Sequence, residues 1–142
     1  MTIYPYLNEL IEMLKTATGY PVAAAANLET ISVQHTSSIF IVPEDLNVLQ
    51  AITDQKTIRS IRFNQFWMVA TVLHNAGDQN VGFDLVSEIG EVQAKIVNGL
   101  CRHRLEKGGP LGVIEIPQAV SYAGGFIVGK LRFSTQFTFN AE

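Results

Sequence analysis

The residues of this chain best suited to binding a metal or moving a proton are three histidines, His35, His74 and His103, and one cysteine, Cys101. A metal site needs a further ligand at helical or hairpin spacing, and none of the histidines has one. They read as satisfied or surface side chains. Cys101 stands beside Arg102 and His103, cations that lower a thiol pKa. It is also next to Leu100 on the apolar side of a long helical pattern, so a buried small hydrophobe is the expectation. Glu9 and Glu12, like Glu88 and Glu91, lie three apart on helical segments without a catalytic partner, as solvated helix faces do. Gly108-Gly109-Pro110-Leu111-Gly112 lacks the Lys-Ser/Thr of a phosphate loop and follows a helix instead of a strand. The cations Arg102, His103, Arg104 and Lys107 complement a helix C-terminus and need no phosphate to explain them. No catalytic residue, metal ligand or cofactor site emerges, and the expectation is a protein that is not an enzyme and uses no cofactor.

Composition points toward assembly. The chain has 142 residues, 47% apolar and 16% charged, with a net charge of −3. An average globular domain carries about 25% charged residues. Isolated domains keep charged surfaces, so the shortfall suggests that other chains cover part of this one. The negative balance offers no field for nucleic acid. A single cysteine excludes an internal disulfide. No apolar stretch approaches the roughly 20 residues of a membrane span, and Met1-Thr2-Ile3-Tyr4-Pro5 does not read as a secretory signal. A cytosol-like compartment and a single domain over residues 1–142 are expected.

Hydrophobic spacing then supplies the elements. Ile3, Leu7, Leu10, Ile11 and Leu14 form one stripe, predicting a helix over 3–17 with Pro5 in its first turn and Gly19 and Pro21 beyond its end. The alanines of 22–32 favour a short second helix. Ser38–Val42 reads as a buried strand closed by Pro43, and 43–56 as a surface loop. Thr57–His74 reads as a long strand, charged in its first half and apolar in its second. Asn75-Ala76-Gly77-Asp78 marks a turn. Over 83–105, Leu85, Ile89, Val92, Ile96 and Leu100 make a helical stripe that Val86, Val97 and Cys101 widen, with Asp84 or Asn80 as N-cap and Gly108-Gly109-Pro110 as the stop. Val113, Ile114 and Ile116 begin a strand towards Tyr122. After Ala123-Gly124-Gly125, residues Leu131, Phe133, Thr135, Phe137 and Phe139 alternate with polar neighbours as in a half-buried strand. The expected fold is α+β in the order α-(α)-β-β-α-β-β, an antiparallel or mixed sheet with helices mainly on one face. Trp67, Phe66 and Met68 read as core.

Order and spacing carry a family resemblance. Phe63-Asn64-Gln65-Phe66-Trp67-Met68-Val69-Ala70-Thr71-Val72, then Asn75-Ala76-Gly77-Asp78 and the long helix, resembles the Mu-type bacteriophage tail terminator proteins. Tyr122-Ala123-Gly124-Gly125 before the alternating last strand is similar to that family's C-terminal signature, and Val22–Leu28 leading into Ser38–Pro43 matches in order. The last strand departs: Arg132-Phe133-Ser134-Thr135-Gln136-Phe137 stands where a more acidic, Trp-rich strand is expected.

The resemblance implies a phage or prophage virion protein, assembled in the bacterial host cytoplasm. It would form a homohexamer ring on the last ring of the tail tube, stop tube polymerisation and present a surface to the head–tail connector, without a cofactor, nucleic-acid specificity or a membrane. The few charges inside strands, Arg59, Arg62, Lys130 and Arg132, are its expected interface. Two alternatives stay open from the residues: another neck or head–tail completion protein, or a small oligomeric ligand-binding or enzymatic α+β domain. The latter needs a polar cluster in an apolar pocket.

Overall fold

A computed structural model describes residues 4, 6–26, 37–74, 81–105, 111–122 and 126–141. The elements are α1 (Leu7–Thr18), β1 (Val22–Ala24), β2 (Ser38–Asp54), β3 (Thr57–His74), α2 (Val81–Arg102), β4 (Gly112–Glu115), β5 (Val120–Tyr122) and β6 (Phe126–Asn140). The strands form one mixed sheet in the order β1-β2-β3-β6-β4, with β5 also paired to β6. Among the described residues only the β1–β2 pair is parallel. The fold is α+β, as its pattern implied.

β3 is the spine. It pairs with β2 from Ser38↔Val72 to Asp54↔Thr57, and with β6 from Ser60↔Asn140 to His74↔Phe126. Its side chains alternate between two faces. Phe63, Trp67 and Val69 meet Leu131, Phe133 and Phe137 of β6 in the main core, under Leu10 and Leu14 of α1 and Val92, Ile96 and Leu100 of α2. On the reverse face Ala70, Val72 and Val128 form a smaller cluster with Phe40 and Phe126. Burial on both faces explains why residues 66–73 read as continuously apolar.

α1 owes its end to local chemistry. Leu10, Leu14 and Thr18 recur every four residues on its buried side. The Thr18 hydroxyl donates to the Leu14 carbonyl (2.7 Å) and accepts from the Tyr20 amide (3.2 Å). Gly19 closes the helix at φ 74°, its amide donating to the Lys15 carbonyl, a left-handed cap that favours glycine. α2 packs so closely on α1 that a Cβ at Gly99 would stand 3.0 Å from the Ala17 Cβ.

Several sequence expectations change. The helix expected over 22–32 is, in its described part, strand β1. Val22, Ala23 and Ala24 pair in parallel with Ile39, Phe40 and Ile41, so sheet pairing overrides alanine's helix preference. Residues 27–32 lie outside the described residues. Pro43 does not close the strand, and 43–56 is no loop: β2 runs to Asp54, with a register shift between Pro43 and Leu46, an irregularity of the kind that accepts proline within a strand. Gln55 and Lys56, at φ 47° and 73°, form the two-residue turn into β3. The strand expected from Val113 to Tyr122 is two short strands, β4 and β5. Pro5, His35, residues 75–80, Lys107, Gly108–Pro110 and Ala123–Gly125 also lie outside the described residues, as do the side chains of Asp84 and Leu85.

The link between α1 and β1 is tied to α2 by one polar contact. The Tyr20 hydroxyl donates to Glu88 at 2.7 Å, and this bond, with burial and the Glu88 charge, pushes the Tyr20 pKa up to about 12. The folded protein therefore favours the protonated phenol. Its stabilisation is complete below pH about 10 and is lost as pH rises through about 12. Tyr20→Phe is expected to cost about 1 kcal/mol at neutral pH, the net worth of a hydrogen bond to a charged partner after solvent screening. In urea titrations the gap between wild type and variant should stay constant to pH about 10 and shrink above it. A gap that persists unchanged at pH 12 contradicts this assignment.

Candidate assembly surface

Of the residues with chemical potential, His103, Glu9 and Glu88 are engaged within the fold through their side chains. His103 shares a hydrogen bond of 2.7 Å with Glu9, joining the end of α2 to α1. His74 ends β3, its amide accepted by the Ser37 hydroxyl at 3.1 Å. Cys101 is exposed, against the expectation of a core cysteine. The buried stripe of α2 is narrower than its sequence suggested: Ile89, Val92, Ile96 and Leu100 are buried, Val97 is half-buried, and Val86 and Cys101 face outward. Glu88 is not merely solvated, since it holds Tyr20. Glu9, Glu12, Met13, Lys95, Arg102 and His103 line an open groove between the helices. Among the described residues no three His, Cys, Asp or Glu side chains gather as a metal site.

The four strand cations do not form one cluster. Strand register and alternation put Arg62, Lys130 and Arg132 on the sheet face away from the helices. Arg59 has the opposite parity and pairs with Asp54 at 3.0 Å near the hairpin turn. Arg62 donates to the Gln136 side chain at 2.9 Å. It lies six residues along β3 from Met68, the register partner of Arg132, a separation of about 20 Å at strand rise. Arg132 is the most committed of the four. Its Nε donates to Glu44 at 2.8 Å, its Nη1 stands 3.6 Å from Glu115, and its guanidinium lies 5.6 Å from the Phe66 ring centre. The Glu44 bond and charge hold the guanidinium pKa above its ordinary value. Glu44 and Glu115 were not legible as its partners, because β2 and β4 bring them together only across β6 and β3.

The largest feature missed from the sequence is the distal half of the β2–β3 hairpin. Every residue from Asn47 to Arg59 is exposed, including Val48 (60%), Leu49 (49%), Ile52 (51%) and Ile58 (53%). A hairpin with four large apolar side chains in water is the candidate surface for contact with a partner. The signal available was Asp54-Gln55-Lys56-Thr57 between two β-branched segments, a hairpin spacing without its usual Asn-Gly.

The arrangement is therefore a packed body, a projecting apolar arm and a polar strand face, the features of a protein that binds other proteins. A family model described as phage tail terminator protein matches residues 7–142, from the first residue of α1 through β6. None of the curated proteins matches the chain.

Proposed function

The chain belongs to the phage tail terminator family, whose members are components of the virion tail that meet other tail parts, and we propose that it caps the tail tube. In this reading the protein acts as one structural domain, without catalysis. Copies assemble as a ring, a hexamer, on the last ring of tube protein in the host cytoplasm. The ring stops tube polymerisation and offers its other side to the head–tail connector. The observation that carries the reading is the exposed apolar hairpin arm on a family member whose low charge fraction already called for covered surface.

A polymerisation assay tests the capping step. Purified tube protein extended in the presence of this protein should give tubes of limited length with density at one end by electron microscopy. Tubes that grow as long as those without it would sink the proposal.

The polar strand faces are assigned to contacts with neighbouring subunits or the tube, through Arg59, Arg62, Lys130 and Arg132. Substituting all four with alanine is expected to weaken tube binding at least tenfold while the fold, followed by circular dichroism, is retained. Unchanged assembly and unchanged tube binding would remove these residues from the interface.

A further inference from the structure

Among the described residues the sheet has two unpaired edges in its distal part. β1 pairs with β2 only as far as Ile41, so among the described residues nothing pairs with the outer side of β2 over 46–53. β4 and β5 pair with β6 only over 126–134, so among the described residues no strand pairs with its outer side over 135–140. Both edges belong to the same three-stranded section, β2-β3-β6. Neither carries a charge: the first reads Leu46-Asn47-Val48-Leu49-Gln50-Ala51-Ile52-Thr53, the second Thr135-Gln136-Phe137-Thr138-Phe139-Asn140. Proteins that stand alone blunt free edges with lysine, proline or inward-pointing charge. Lysine, proline and inward-pointing charge are missing from both edges, and β2 carries register shifts in their place.

We infer that the free edge of β2 over 46–53 on one copy pairs with the free edge of β6 over 135–140 on the next, continuing the sheet between subunits. A second copy fits because the two edges are of similar length, both uncharged, and carried by opposite sides of one section. A head-to-tail contact of this kind uses different surfaces on its two sides, and where the rotation between copies closes it makes a ring in which both distal edges are paired. The strand directions follow. β2 and β6 both run antiparallel to β3, hence parallel to each other. Copies related by rotation about a ring axis keep their direction, so the junction is a parallel pair. The register shifts in β2 at Pro43/Leu46, Val48/Gln50 and Ile52/Thr53 add twist and bend, which a closed sheet requires. This inference rests on the ring reading above and names the surfaces that would build it.

The test uses disulfide trapping in the full chain, with the exposed Cys101 replaced by serine. Thr138→Cys on β6 is combined in turn with Asn47→Cys, Val48→Cys, Leu49→Cys and Gln50→Cys on β2, with and without tail tubes, while light scattering reports the assembly state. At least one pair should give a ladder of covalent oligomers up to the ring size, and the matching single variants, mixed, should give dimers of one of each. Leu49→Lys with Ile52→Lys should leave the thermal melt near wild type, since both side chains are exposed, and weaken assembly at least tenfold. A ring that forms with no ladder from any pair overturns the edge pairing and leaves the ring reading standing. Dimers from a β2 single variant alone also overturn it, because they show a two-fold β2–β2 contact. No ring with or without tubes removes the ring reading and this inference together.

Discussion

Trp67→Ala is expected to lower unfolding free energy by about 3–5 kcal/mol, a large part of a domain's whole stability. Trp67 is 1% exposed at the centre of β3. Its ring stacks on Phe133 at 6.4 Å and 17°, Tyr4 meets its edge at 6.0 Å, and its indole N–H donates to the Thr135 hydroxyl at 3.0 Å. Alanine removes the largest buried side chain from the layer where both helices meet the sheet. Trp67→Phe separates the contributions: it keeps an aromatic ring but strands the Thr135 hydroxyl in a buried site, at a cost of about 1–3 kcal/mol. Urea titrations should show both midpoints falling in that order with the slope unchanged. A loss under 1 kcal/mol for the alanine variant would mean that this layer is not the core.

Gly129 is the second sensitive point, and its sign is opposite to that of a nearby glycine. A Cβ at Gly129 would stand 2.7 Å from Ile89 Cγ1 and 2.9 Å from the Gln93 amide nitrogen. α2 rests directly on β6 there, and Gln93 donates to the Lys130 carbonyl at 3.3 Å. Ile89 is buried and cannot swing aside. Gly129→Ala is therefore expected to cost about 1–3 kcal/mol, with Gly129→Val at the upper end or beyond. Gly90, exposed on α2, has nothing within 4 Å of a Cβ, and alanine there should stabilise by about 1 kcal/mol. Thermal melts moving in the same direction for both alanine variants would contradict this account of how α2 is seated.

What could be read from the sequence was what local chemistry or a buried face writes into it. β3 was legible from Thr57 to His74, and β6 by strict alternation, because helices on one side and solvent or a smaller cluster on the other impose a pattern. The end of α1 followed from Gly19. β1 was not legible, since three small residues become a strand only through Ile39–Ile41 in the next element. The hairpin arm was hidden for a related reason. Residues 47–54 are exposed on both faces, so no period of two separates inside from outside, and Pro43 mimicked a strand end. At the surface, the sequence marked Arg132 as a strand charge but not its engagement by Glu44, 88 positions away.

In the proposed function these elements serve a subunit that copies of itself and the tail tube cover. Light scattering behind a sizing column, on the purified protein with and without assembled tail tubes, tests that claim most directly. The account predicts a hexamer, or a monomer that co-elutes with tubes and fixes their length. A monomer or dimer that ignores tubes would contradict it.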